Sequence, residues 1–264
     1  MAVIDCLEKG LNKCYSILPQ SKPSRQKAQA AHLIAHRGAH NNELSQFENT
    51  HAAFRQALTV NCWGIEFDIH ATKDNRLVVN HDPTLLRLWN VNERIDQLTL
   101  TELREKAPLV PTLAEVIEQY GKKMHLFIEL KRPFKAEQAL AHDLHSLQPG
   151  IDYHLLTLDE PVYGNMTLFP REVMLLVAGH NNAGEFCRLS LHKNYGGVLG
   201  HYLLLTESKL TRLRKVNQKV GVGFVDSRFS LYRELNRGIQ WIFSNEAEKV
   251  SQYLQTLRTE KGKP

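Results

Sequence analysis

From Leu33 onward the chain alternates short apolar runs with amphipathic stretches, and this alternation limits the fold more than any other feature. Apolar runs at 33–36, 63–69, 77–80, 124–130, 153–158, 173–178, 197–205, 221–225 and 239–243 have the length of buried strands. Amphipathic segments at 49–59, 99–106, 112–120, 135–147, 207–217 and 246–258 lie between several of them. Strands alternating with helices build a parallel sheet covered by helices, an α/β architecture. At 264 residues the chain fits one closed barrel of the TIM (β/α)8 type. Nine runs are one too many for eight strands, so one must be a hairpin partner or an irregular segment. The runs 153–158 and 173–178 read as the weakest strands. Thr112 with Glu115 three residues later has capping-box spacing and starts a helix at about 113.

Residues 1–31 read as an N-terminal helical extension and linker, and 32–264 as the barrel. Val3, Leu7, Leu11, Cys14 and Leu18 recur at helical spacing, and Pro19 and Pro23 end the pattern. A helix over 2–18 packed across the barrel is the simpler reading. Lys9 and Lys13 also permit peripheral membrane contact through this segment. The first thirty residues lack a signal peptide's apolar core, and no apolar run reaches the roughly 18–20 residues of a membrane span. The expectation is a cytoplasmic protein. Cys6, Cys14, Cys62 and Cys187 form no C-x-x-C pair, which argues against a zinc knuckle or a disulfide scaffold. The net charge of +5 comes without a basic stripe interleaved with aromatics, so nucleic acid is not an expected partner.

The chemistry concentrates at the ends of the strand-like runs. Glu66 and Asp68 are two apart within Ile65–Ile69, and alternate residues of a strand share a face. Two acids on one face of an apolar strand call for a partner, and a hard divalent cation suits oxygen ligands. Glu129 and Lys131 repeat the spacing after another run. In a parallel barrel all such ends converge on one face. His36 and His81, each following a buried run, suggest an acid–base pair. Arg37 and Lys131 are natural phosphate donors. Salt bridging at strand ends accounts for any one of these pairs taken singly, but less well for all of them together. His142 and His145 read as an exposed helical face. Gly196–Gly197 and Gly221-x-Gly223 lack the helix-opening pattern of a phosphate loop, and no G-x-S-x-G elbow is present.

These residues closely resemble the glycerophosphodiester phosphodiesterase family. The matching motifs are His36-Arg37-Gly38, Glu48-Asn49-Thr50, Glu66-x-Asp68, Thr72-Lys73-Asp74, His81-Asp82 with Arg87, and Glu129-x-Lys131. The second half matches more loosely. The family's W-T-V-N-like stretch appears as Gly223-Phe224-Val225-Asp226, and its late T-D-x-P as Ser244-Asn245-Glu246-Ala247. No large insertion is read after Glu66–Asp68 beyond a helical segment near 99–106, which looks like the compact bacterial type. The resemblance implies a TIM-type barrel, Mg²⁺ or Ca²⁺ as cofactor, and hydrolysis of small glycerophosphodiesters to glycerol 3-phosphate and an alcohol. It implies Glu66, Asp68 and Glu129 as metal ligands, Arg37 and Lys131 on the phosphate, and His36 and His81 exchanging protons. Glu48 would neighbour the metal or orient Arg37. A cyclic phosphate intermediate fits this set. Two alternatives stand beside it: a lysophospholipase D-type diesterase, marked by an apolar groove at the site, and a catalytically silent binding barrel.

Overall fold

The computed structural model describes residues 17–179 and 181–260. Its strands are β1 (His32–His36), β2 (Gly64–Ala71), β3 (Leu77–Val79), β4 (His125–Leu130), β5 (Tyr153–Thr157), β6 (Met174–Ala178), β7 (Gly197–His201), β8 (Lys219–Gly223) and β9 (Trp241–Ser244). The sheet runs β1-β9-β8-β7-β6-β5-β4-β2 and closes through β1–β2 pairing, all parallel. This is a TIM barrel of eight strands.

The supernumerary strand is β3, not either of the runs read as weakest. β5 and β6 are regular barrel strands. β3 folds back antiparallel on the end of β2, pairing Ile69 with Val79 and Ala71 with Leu77. The turn between them is Thr72–Arg76. Thr72 Oγ1 donates to Asp74 Oδ1 at 2.6 Å and accepts from Arg76 N at 2.9 Å. Thr72-Lys73-Asp74 is therefore a turn motif. Its consequence lies at the far end of β3, where Asn80 N reaches Asp68 O and the chain delivers His81 beside β2.

The helices α1 (Arg25–Gln29), α2 (His51–Thr59), α3 (Leu86–Trp89), α4 (Leu100–Lys106), α5 (Leu113–Tyr120), α6 (Glu137–Asp143), α7 (Pro161–Gly164), α8 (Ala183–Lys193), α9 (Glu207–Arg214), α10 (Arg228–Asn236) and α11 (Ala247–Thr259) surround the barrel. The capping box at Thr112 forms, with Glu115 returning to the Thr112 backbone. α8 and α10 escape the apolar pattern because their buried faces are partly small or polar. Cys187 and Ser190 line one, Ser230 and Glu234 the other. Glu234 is fully buried and held by Arg233 and Arg237. The run 197–205 ends as a strand at His201, because Leu204 N turns back to His201 O.

Two expectations need correction. Residues 19–31 are more than a linker: Ser24 caps α1, and Ala28 and Ala31 are buried in the main core. The segment between β2 and α5 is also larger than the helical segment expected near 99–106. It carries β3, α3, α4 and its own buried cluster of Val78, Leu85, Ile95, Leu98, Leu103, Ala107 and Val110. The helix expected over 2–18 lies, but for its last two positions, outside the described residues.

Alternation along each strand sorts the interior. Ile65, Phe67, Leu126, Ile128 and Leu155 join the cluster that reaches the helices, while Ile34, Phe127, Leu156, Leu175, Leu199, Trp241 and Phe243 form a second cluster. At the N-terminal end of the barrel, buried His125 and His154 touch. His125 Nδ1 lies 2.9 Å from Ile151 O, so it must donate there, and Nε2 accepts from His154 Nδ1 at 2.7 Å. Burial lowers His125 to about 4 and His154 to about 3. The unfolded chain takes up both protons near 6.5, whereas the folded protein does not, so their contribution is complete above pH 6.5 and is lost as pH falls. Each costs about 1.4 kcal/mol per pH unit below pH 6. Urea unfolding between pH 6 and 4.5 should therefore show a shallower pH slope for His154→Leu than for the wild type. Parallel curves would refute the assignment.

Candidate active site

At the C-terminal end of the strands the inward positions change from apolar to ionisable. Glu66 and Asp68 of β2 and Glu129 of β4 are buried, with one oxygen of each within 4.8 Å of the others. Register makes this unavoidable, since Asp68 pairs with Glu129 across β2–β4 and His36 with Glu66 across β1–β2. Among the described residues this is the one cluster of three acids, histidines or cysteines spaced to hold a metal.

The cations lie where the sequence placed them. Lys131 Nζ sits 2.7 Å from Asp68 Oδ1 and also contacts Glu129 Oε1. Arg37 NH1 donates to Glu48 Oε1 at 2.9 Å, and Arg37 Nε lies 3.4 Å from Asp68 Oδ2 without a hydrogen bond. The Arg37 backbone N–H donates to Glu66 Oε2 at 3.1 Å. It can do so because Arg37 adopts φ of +57°, strain typical of functional positions. Gly38 follows at φ +81°, and a Cβ there would come within 2.8 Å of Ala53 Cβ, so glycine is required.

Burial pushes Glu66 well above the ordinary carboxyl range, helped by Asp68 and Glu129. Glu129 is raised to about 7, by burial first and then by Asp68. Burial also opposes ionisation of Asp68, but Lys131 and Arg37 outweigh it and hold Asp68 ionised. The donor set fits a hard divalent cation: three carboxylates, all oxygen, with Glu66 Oε1 buried and accepting no hydrogen bond. Calorimetric titration with Mg²⁺ or Ca²⁺ should show affinity falling at least about tenfold in Glu66→Gln. Unchanged affinity would remove Glu66 from the ligand set.

The two histidines have unlike partners. His36 Nδ1 lies 2.7 Å from Asn245 Oδ1, and its Nε2 lies 3.7 Å from Glu66 Oε2. His81 Nδ1 lies 2.8 Å from Asp82 Oδ1. Burial lowers both rings, His36 to about 4. Arg87 bridges Asp82 Oδ2 at 2.5 Å and Glu48 Oε1 at 2.6 Å, so Glu48 holds two guanidinium groups at once. Glu48 thus lies against both Arg37 and Arg87.

Several contributors were not singled out from sequence. Asn49 Nδ2 donates to Asp68 Oδ2 at 2.9 Å; its motif was read, its contact was not. Asn245 and Asp226 lie in stretches read only as departures from the family pattern. Asp226 Oδ1 accepts from Asn245 N at 2.9 Å and from Ser244 Oγ at 2.8 Å. The far wall is apolar: Leu156, Leu158, Val177, Leu199, Leu204 and Phe224 join the ionisable groups around one cavity of about 290 Å³. No spacing rule assembles that wall, because it comes from six residues on separate strands and loops. No helix among the described residues is long and apolar enough to cross a membrane.

The profile of the glycerophosphoryl diester phosphodiesterase family matches residues 36–148. A glycerophosphodiester phosphodiesterase of Caldanaerobacter subterraneus is 39% identical over 111 residues, 38% of this chain and 44% of that protein. The human lysophospholipase D GDPD1 is 43% identical over 70 residues, 26% of this chain and 21% of that protein. The chain thus spans less than half the length of these relatives. In structure it is similar to an Oleispira antarctica phosphodiesterase solved with the product sn-glycerol-3-phosphate, with TM-score 0.67, 21% identity, and coverage of 86% of this chain and 99% of that one. That likeness concerns the fold. The matched stretch, residues 36–148, is the part of the chain that carries most of the site's ionisable residues, and over it the chain is similar to the glycerophosphoryl diester phosphodiesterase family.

Proposed function

We propose that this chain is a metal-dependent phosphoric diester hydrolase that converts glycerophosphodiesters to glycerol 3-phosphate and an alcohol. The observation that carries the reading is the buried triad Glu66, Asp68 and Glu129, flanked by Arg37 and Lys131 and by two histidines with different partners. Glu66, Asp68 and Glu129 would hold Mg²⁺ or Ca²⁺, which offsets the charge of the phosphodiester anion. Arg37 and Lys131 bind the phosphate oxygens and add to that neutralisation.

His36 donates from Nδ1 to an amide oxygen, which leaves Nε2 bare to act as a base. It takes the proton of the glycerol hydroxyl next to the ester. That oxygen bonds to phosphorus as the bond to the leaving alcohol breaks. His81, whose Asp82 carboxylate pulls toward the protonated ring against the burial that lowers it, gives the alcohol its proton. A cyclic phosphate results. Water then opens it: His81 takes a proton from the water, and the departing glycerol oxygen recovers the proton held by His36.

The test is glycerol 3-phosphate release from glycerophosphocholine and glycerophosphoethanolamine, with Mg²⁺ or Ca²⁺ and with EDTA. Activity lost to EDTA and restored by the ion supports the reading. The apolar wall of Leu156, Leu158, Val177, Leu199, Leu204 and Phe224 favours a second reading, a lysophospholipase D-type reaction in which that wall takes a lipid chain. Faster turnover of lysophosphatidylcholine than of glycerophosphocholine would establish it. No turnover of either substrate would leave the silent binding barrel.

A further inference from the structure

We propose that Asn245 and Asp226 are positioning residues that lock His36 in a single tautomer, with amide and carboxylate in the reverse of the order the family pattern leads one to expect. The inference rests on the diesterase reading for its catalytic consequence, but not for its geometry. The two departures noted in the sequence, Asp226 where the pattern has Asn and Asn245 where it has Asp, fall on residues that touch. β8 and β9 are neighbours, as are β9 and β1, so residues just beyond their ends stand side by side in the order Asp226, Asn245, His36. The chain keeps one amide and one carboxylate while exchanging their places. A single loss would have left either two carboxylates or two amides facing each other.

The geometry fixes the direction of every hydrogen bond. A carboxylate only accepts, and Asp226 receives Ser244 Oγ at 2.8 Å, Asn245 N at 2.9 Å and Asn245 Nδ2 at 3.4 Å. The Asn245 amide nitrogen must therefore face Asp226, since the flipped amide would set oxygen against oxygen. Its Oδ1 then faces His36 Nδ1 at 2.7 Å, and Nδ1 must carry the proton. Nε2 is left bare on the side of Glu66 and the cavity. Asp226 does not touch His36. It acts by keeping the amide the right way round, and a neutral amide rather than a carboxylate meets the ring.

The experiment compares Asn245→Ala, Asp226→Asn, Asn245→Asp and the double variant Asp226→Asn/Asn245→Asp in the full chain. Two readouts are taken. Two-bond ¹H–¹⁵N spectra of histidine-labelled, substrate-free protein report which His36 nitrogen carries the proton. Steady-state kinetics on glycerophosphocholine separate kcat from KM. Wild type should show Nδ1–H, and Asn245→Ala a mixture of tautomers with kcat down about 100-fold and KM within about twofold. Asp226→Asn, which is isosteric, should lower kcat about tenfold by freeing the amide to flip. Asn245→Asp opposes two carboxylates and should be worse, and the double variant should recover at least about tenfold over it, the signature of a coupled pair. A wild-type tautomer in Asn245→Ala, wild-type kcat in Asp226→Asn, or a double variant no better than the product of its singles would overturn the proposal. The spectra need no turnover, so an inactive wild type with a locked tautomer would sink the diesterase reading and leave this one standing.

Discussion

His36→Ala and His81→Ala should each lower kcat on a glycerophosphodiester by about 10²–10⁴-fold, the range for losing one general acid or base. Thermal midpoints should stay close to wild type. Both rings line the cavity at the mouth and keep some exposure, and neither belongs to the apolar clusters that hold the barrel together. The two losses should also differ in kind. His36 is oriented through the neutral Asn245 amide and His81 through the Asp82 carboxylate, itself tied to Arg87. A substrate with a good leaving group, such as a p-nitrophenyl diester, should therefore rescue His81→Ala more than His36→Ala, because only His81 is assigned to protonate the leaving oxygen. Activity within fivefold of wild type in either variant would remove that histidine from the reaction, and equal rescue would reverse or erase the division of roles.

The largest stability effect should come from Lys131→Met in metal-free protein. Lys131 Nζ is the cation between Asp68 and Glu129, both buried. Removing one partner of a buried ion pair costs about 3–5 kcal/mol. The cost should depend on pH in a direction the carboxyls dictate. Glu129 is raised to about 7, so between the ordinary glutamate range and pH 7 the folded protein keeps a proton that the unfolded chain has released. Its contribution to stability is therefore present at low pH and fades as pH rises through 7. Near pH 5 Glu129 is protonated and has little need of Lys131, whereas near pH 8 it is charged and depends on it. Urea unfolding in EDTA should show a larger loss at pH 8 than at pH 5, and Mg²⁺ or Ca²⁺ should close part of the gap at pH 8 by binding the folded state. An equal loss at both pH values would mean that Lys131 is not the counter-charge of this cluster.

The acid limb of stability runs the other way at the opposite end of the barrel. There His125 and His154 are lowered by burial and withdraw stability as pH falls. The metal-free protein thus has two opposed pH dependences, which only variant comparisons separate.

Much of the molecule was legible because it is local. Strand runs are set by side-chain alternation, and each of the nine appears within two or three residues of its expected start. Helix starts are set by caps, as at Thr112. The ionisable groups of the site were legible for the same reason, since Glu66 with Asp68 and Glu129 with Lys131 obey a two-residue period that any strand would display. What escaped were helices whose buried face is not apolar, such as α10 with its enclosed Glu234, because the ion pairs that make such burial tolerable come from Arg233 and Arg237 and leave no trace in hydropathy.

By itself, then, the order of residues determined the elements, their parallel arrangement and the family of chemistry at the strand ends, because those follow from periodicity and from side-chain type. Only the tertiary structure decided which of nine strands stands outside the barrel. β3 is that strand, and its antiparallel return carries His81 to Asp68, a consequence of pairing rather than of composition. Tertiary structure alone also brought Asp226, Asn245 and His36 into one hydrogen-bonded line and closed an apolar wall opposite the ionisable groups. Residues about 190 and 209 positions apart in sequence became neighbours because the sheet closes on itself through β9 and β1, and barrel closure is a property no local window contains.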